Sequence, residues 1–223
     1  MENKSMKSVT ELFQIFMQDF NSVCQQYNRN PKDICVVAVS KLQSQEKIQE
    51  AYHIGHRDFG ENYVQEAIEK IQFLQLQTAR WHLIGPLQSN KINKLLGKFY
   101  LIHSVDSYKI AHELSEKSAR ANFKQKILCQ INFANEATKS GFSESNFLEK
   151  WEQLRKLQGI EIQGLMCMPP LDDPEPSFAK AQLLLQELKL PFLSMGTTSD
   201  WKLAIKHGST HIRIGTALFG ERT

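Results

Sequence analysis

Eight times along this chain a short apolar run gives way to a longer segment whose apolar residues recur at helical spacing. Such alternation restricts a chain to a parallel sheet, because each helix must carry the backbone back before the next strand can start in the same direction. The spacing predicts strands at residues 34–39, 57–60, 81–85, 100–105, 127–133, 160–168, 192–195 and 211–215. The first, Ile34-Cys35-Val36-Val37-Ala38-Val39, has no polar alternation, as expected of a strand buried on both faces. Ser44, Ser107 and Ser143 stand where helix N-caps belong. A further helix, at 9–27, carries Leu12, Phe13, Phe16, Phe20 and Val23 on one face and precedes the first strand, while only residues 216–223 follow the last. The same alternation fits an open doubly wound sheet, but eight units without a G-x-G-x-x-G turn favour a (β/α)₈ TIM barrel. The extra N-terminal helix then takes the place of the truncated final one. No Pro-, Gly- or Ser-rich linker interrupts the pattern, so residues 1–223 are expected to form a single α/β domain.

Composition removes several function classes. With 27 basic and 24 acidic side chains the net charge is +3, and no dense basic run marks a nucleic-acid face. No apolar stretch approaches the ~20 residues that span a bilayer, and the start has no signal-peptide core. A cytoplasmic, monomeric protein with no nucleic-acid or membrane partner is expected. Cys24, Cys35, Cys129 and Cys167 have no metal-ligand spacing, and the last three lie in apolar runs where a thiol serves as a small core residue. No metal site is expected.

In a parallel barrel all strands end at one mouth, where ligands bind. The polar residues at those ends are Ser40 and Lys41, Glu61 and Asn62, His82, His103, Ser104 and Asp106, Asn132 and Asn135, Met168, Thr197 and Thr198, then Arg213, Gly215 and Thr216. Arg213-Ile214-Gly215-Thr216 ends a strand and opens a short helix, and Thr197-Thr198-Ser199 follows the strand before. Hydroxyls and backbone N–H groups on the last two loops suit a phosphate. Arg213 alternates with Ile212 and Ile214 and points inward, where its charge needs Glu61, Asp106 or an accepting ligand atom. Lys41 ends the first strand. An amine in an apolar mouth is shifted toward its neutral, imine-forming state. Imine lysine, phosphate cradle and inward arginine describe a pocket for pyridoxal 5'-phosphate (PLP), although a barrel aldolase acting on a sugar phosphate needs much the same set.

At these residues the chain resembles the pyridoxal phosphate homeostasis proteins, whose barrel is similar to the N-terminal domain of alanine racemase. The likeness runs from about Ile34 to Arg222. It is carried by Ala38-Val39-Ser40-Lys41, Phe59-Gly60-Glu61-Asn62-Tyr63-Val64-Gln65-Glu66, Trp81-His82-Leu83-Ile84-Gly85-Pro86-Leu87-Gln88-Ser89-Asn90-Lys91, Lys139-Ser140-Gly141, Gly164-Leu165-Met166 and Arg213-Ile214-Gly215-Thr216-Ala217-Leu218-Phe219-Gly220. The resemblance implies that Lys41 carries PLP as an aldimine, that Arg213 faces the pyridine nitrogen, and that Gly215 and Thr216 bind phosphate. Asn62 and His82 match motif positions near the pocket. Where the family usually reads Met-Gly-Met-Ser-x-Asp, this chain has Met195-Gly196-Thr197-Thr198-Ser199-Asp200, so Thr198 takes the phosphate-binding serine's place. The racemases draw a second base, a tyrosine, from a C-terminal β-domain, and no equivalent is expected here. The resemblance therefore implies a PLP-binding protein of intracellular PLP homeostasis or supply, without catalytic residues, with PLP-dependent apo-enzymes as recipients. A minimal PLP-dependent racemase or lyase is the alternative.

Overall fold

The computed structural model describes residues 7–136 and 138–221. Residues 1–6, where no signal-peptide core is expected, Ala137 and the end of the resemblance at Arg222 lie outside them. A capping box opens α1 (Val9–Gln26): Ser8 Oγ accepts from the Glu11 N–H, and Glu11 Oε2 accepts from the Ser8 N–H at 2.8 Å. A 3₁₀ turn at Pro31–Asp33 then leads into β1 (Cys35–Val39). The chain continues through α2 (Gln45–His53), β2 (Asp58–Glu61), α3 (Val64–Leu74), β3 (Arg80–Leu83), α4 (Ile92–Leu95), β4 (Leu101–Val105) and α5 (Tyr108–Arg120). It is completed by β5 (Gln125–Ile131), α6 (Glu144–Leu154), β6 (Ile160–Cys167), α7 (Glu175–Glu187), β7 (Phe192–Ser194), α8 (Trp201–Lys206), β8 (His211–Ile214) and α9 (Thr216–Phe219).

Each strand pairs in parallel with the next, and β8 returns to β1, with Cys35 opposite His211 and Val37 opposite Arg213. The sheet is closed, which removes the open doubly wound alternative. Ser44, Ser107 and Ser143 each accept a backbone N–H three residues on, as their positions predict. Strand ends differ from expectation by a few residues. β3 stops at Leu83 rather than running to Gly85, because Gly85 lies against the chain leaving β2; a Cβ there would come within 2.3 Å of the Asn62 carbonyl oxygen. β5 starts at Gln125 instead of Ile127, since Gln125 and Lys126 pair with Ile160 and Glu161 of β6, and the Gln125 side-chain amide is buried on the carbonyls of Phe99 and Lys126.

The leading helix does close the ring beside the one-turn α9. Phe13 meets Phe219 edge-on with ring centres 6.1 Å apart, and Phe16 packs on Trp201 of α8 at 5.2 Å. The core has two compartments. The larger fills the shell between strands and helices. The smaller, Leu101, Leu128 and Met166 with Phe192 against them, is separate from it. Ile102 belongs to the shell and its neighbour Leu101 to the smaller cluster, so period-two alternation puts the latter inside the barrel. Barrel interiors are usually filled by branched apolar side chains. Here much of the interior is polar, with His82, His103, Ser194, His211 and Arg213 all buried.

Candidate functional site

At the carboxyl ends of the strands, Val39, Lys41, Asn62, Ile84, Met168, Thr197, Thr198, Arg213, Gly215 and Thr216 line one cleft of about 310 Å³, near the lower bound for small-molecule sites. Six of the seven residues expected to contact a ligand meet there: Lys41, Asn62, Thr198, Arg213, Gly215 and Thr216. His82 does not. It is fully enclosed within the barrel, bonded to Asp58 and His103, and contributes nothing to the lining.

The residues around Lys41 are pinned by an ion cluster. Lys70 Nζ, on α3, donates to the Ser40 carbonyl (2.6 Å), Glu61 Oε1 (2.9 Å) and Glu66 Oε1 (2.6 Å). The Ser40 hydroxyl donates to the same Glu61 oxygen at 2.6 Å, and the Leu42 N–H donates to Glu66 at 2.6 Å. The backbone is thus held on both sides of Lys41. Burial raises the Glu61 carboxyl pKa despite its Lys70 and Ser40 partners. Its Oε2 is buried without a hydrogen-bond partner among the described residues. Glu61 is spent on Lys70, so it is not the counter-ion of Arg213; Asp106 makes no ion pair with it either. Nothing in the helical pattern marked Lys70 as functional, though Glu66 and Lys70 at i,i+4 are a readable pair.

Arg213 rises from β8 into the interior and is 4 % exposed. Nη1 donates to Ser194 Oγ (2.7 Å), and Nη2 to the Cys167 carbonyl and Met168 Sδ, both at 3.2 Å. All three are neutral acceptors. Burial lowers the guanidinium pKa to about 10, which leaves it charged at any working pH. Of the described residues, none places a carboxylate within ion-pair distance of it.

The last two loops divide their labour. Thr197 turns its N–H and hydroxyl back onto Asp200 Oδ1, at 2.6 and 2.9 Å, so Thr198 next to it is left exposed on the cleft. Gly196 sets that turn with φ +93°, and a Cβ there would meet Ala204 at 2.6 Å. In the first turn of α9 the N–H groups of Thr216 and Ala217 have no acceptor among the described residues. A Cβ at Gly215 would meet only Val39, at 3.7 Å, so the fold does not demand glycine there; its absence leaves the cleft clear. The thiols behave as core residues: burial pushes Cys129 and Cys167 up to about 12. Lys139 lies apart, tied to Glu136 Oε1 (2.8 Å) and the Pro169 carbonyl (2.7 Å) beside a larger, open recess.

Residues 22–223 match the family described as alanine racemase, N-terminal domain. The chain is 38% identical over 216 residues to the pyridoxal phosphate homeostasis protein of Aquifex aeolicus, covering 92% of this chain and 95% of that one. The protein of that name from Schizosaccharomyces pombe is 34% identical over 209 residues, with 88% of each chain covered. This chain belongs to the pyridoxal phosphate homeostasis protein family. Among solved structures, PipY of Synechococcus elongatus superposes with a TM-score of 0.82 without PLP and 0.80 with PLP bound, at 38% and 37% identity, covering 90% of this chain and 99% of PipY. Alanine racemase of Clostridium difficile shares the fold, with a TM-score of 0.70 at 15% identity, over 91% of this chain but 55% of the racemase. No helix among the described residues is long and apolar enough to cross a membrane.

Proposed function

We propose that this family member binds PLP in the cleft at the barrel mouth, covalently and reversibly through the Lys41 amine, and serves the supply of the cofactor rather than its catalytic use. PLP brings an aldehyde that an amine captures, a flat ring and a phosphate, and the lining suits each part. Val39, Ile84 and Met168 offer apolar walls for the ring, Thr198 and Thr216 offer hydroxyls to the phosphate, and the uncapped turn of α9 offers N–H groups. Asn62 borders the same space; His82 is assigned no contact. The likeness to PipY, whose structure holds PLP, supports the reading.

The observation that carries it is Arg213. A buried guanidinium surrounded by neutral acceptors, facing the cleft that Lys41 enters, suits a neutral acceptor such as a pyridine nitrogen. A carboxylate in its place would keep that nitrogen protonated and the ring a strong electron sink; arginine, which only donates, does the reverse. Racemisation further needs proton-handling groups on both faces of the substrate carbon. Among the described lining residues only Lys41 is a base of suitable reactivity. The placement is cytoplasmic and the recipients are PLP-dependent apo-enzymes, on the family resemblance.

Absorption spectra of the purified protein with added PLP test this. A visible band that forms in wild type and is lost in Lys41→Ala is the expected result, and a colourless wild type overturns it. Sustained exchange of the α-proton of alanine in deuterated water, abolished by Lys41→Ala, would establish the racemase or lyase reading in its place.

A further inference from the structure

Arg213 is one end of a hydrogen-bonded chain that crosses the barrel interior from β8 to β2. Ser194 Oγ, which takes the Arg213 Nη1 bond at 2.7 Å, lies 2.8 Å from His103 Nδ1. His103 Nε2 is 2.9 Å from His82 Nδ1, and His82 Nε2 is 3.0 Å from Asp58 Oδ1. Asp58 is gripped by Arg80 through Nε (2.6 Å) and Nη2 at the opposite end of the barrel. The members come from β8, β7, β4, β3 and β2. His211, the other histidine nearby, turns to Thr210 Oγ1 at 2.9 Å and stays outside the chain.

The two ends dictate every proton between them. A guanidinium only donates, and an ionised carboxylate only accepts. Burial pushes the Asp58 carboxyl up, but Arg80 and His82 more than offset this and hold it well below the usual carboxylate range. His82 must then carry hydrogen on Nε2, so in its neutral form Nδ1 accepts from His103 Nε2–H. His103 Nδ1 is left to accept the Ser194 hydroxyl proton, and Ser194 presents a lone pair to Arg213. The reverse arrangement, with His82 doubly protonated and His103 donating from Nδ1, would leave the Ser194 hydroxyl proton buried with no acceptor, a costly state. Full enclosure also keeps His103 neutral, its pKa lowered well below the usual histidine value. The dipoles run one way, from Arg213 to Asp58.

We propose that His103, backed by His82, is a positioning residue: by committing the Ser194 proton it fixes the guanidinium of Arg213, so that one Nη1 hydrogen and the Nε hydrogen remain for a ligand in the cleft. The inference rests on the reading of Arg213 as partner of the cofactor ring. It also gives His82, which never reaches the cleft, a role two bonds behind Ser194.

Nitrogen-15 NMR of the cofactor-free protein at pH 7.5 tests the direction of the chain. His103 is expected as a neutral imidazole protonated on Nε2, with His82 carrying a proton on Nε2 toward Asp58; a proton on Nδ1 of His103 overturns the proposal. In the PLP-loaded protein, Ser194→Ala and His103→Leu should each shift the visible band and speed cofactor release about tenfold, the value of one hydrogen bond to a charged group. The double variant should be no worse than the stronger single one, since both cut the same chain. His103→Gln retains a donor and an acceptor and should recover the wild-type band; a His103→Leu protein that does not fold leaves Ser194→Ala and His103→Gln to decide. Unchanged band and release rate in Ser194→Ala overturn the proposal. A wild type that takes up no PLP defeats the proposed function, while the tautomer measurement still judges the chain.

Discussion

Lys41 and Arg213, the two basic residues of the cleft, are supported in opposite ways. Around Lys41 the scaffold answers charge with charge: Lys70 bonds Glu61 and Glu66, and these bind the residues that flank Lys41. Around Arg213 the scaffold offers a hydroxyl, a carbonyl and a thioether, and its carboxylate stands two imidazoles away. The first arrangement fixes the backbone on both sides of Lys41, a residue that lines the cleft. The second fixes the side chain itself through neutral partners. A buried ion pair is sensitive to loss of one partner, whereas a neutral relay is sensitive to gaining a proton.

The sharpest break is Lys70→Met. It strands Glu61, already left with one buried unpaired oxygen, and is expected to cost about 3–5 kcal/mol in urea unfolding. Adding Glu61→Gln should recover part of that. Full stability in Lys70→Met alone would mean the cluster does not hold the β1–β2 corner together.

Acid should act on the Arg213 side. Burial lowers the His103 pKa well below the usual value and that of His211 to about 3. Below pH about 6.5 the unfolded chain takes up a proton on each that the folded barrel refuses. Their stabilisation is therefore complete above that pH and is lost as the pH falls. The expected slope is about 1.4 kcal/mol per pH unit for each histidine. Unfolding at pH 7, 6 and 5 measures it, and His103→Gln should remove one proton's share. A flat profile in wild type would contradict the buried neutral assignment.

Gly85→Ala probes the border of the cleft without touching either assembly directly. Its Cβ would drive into the Asn62 backbone, at an expected cost of about 1–3 kcal/mol with weakened PLP uptake. Normal uptake with reduced stability would show that Asn62 is not needed in place. Ser107→Ala, at the start of α5, is the smallest change: about 1 kcal/mol of helix cap, read as a lower Tm, with PLP uptake unaffected. A lost visible band there would mean that the cleft is coupled to the outer helices.

Much of this was legible in the residues. Apolar runs of strand length alternating with helical spacing led to the closed barrel, and strand ends led to Lys41, Asn62, Thr198, Arg213, Gly215 and Thr216, which the fold gathers into one cleft. His82 shows where such reading stops. Alternation with Trp81 and Leu83 puts it inside the barrel, but depth depends on strand tilt and stagger, which no local pattern carries. At its depth the neighbours are Asp58 and His103, not the mouth. Lys70 was missed for a related reason: a lysine on a helix normally faces water, and only the close approach of α3 to the β1–β2 corner buries this one.

The aromatic contacts of α1 bear on how the chain is made. Phe13, Phe16 and Phe20 leave the ribosome about 180 to 200 residues before their partners Trp201 and Phe219. Until Trp201 and Phe219 have been made that greasy helix face lacks much of its docking surface, and β1 waits equally for β8. Joining elements so distant in sequence is slow, and the exposed face meanwhile invites self-association. The seam where the ring closes is thus the step at which a nascent chain of this kind most needs a chaperone's shelter.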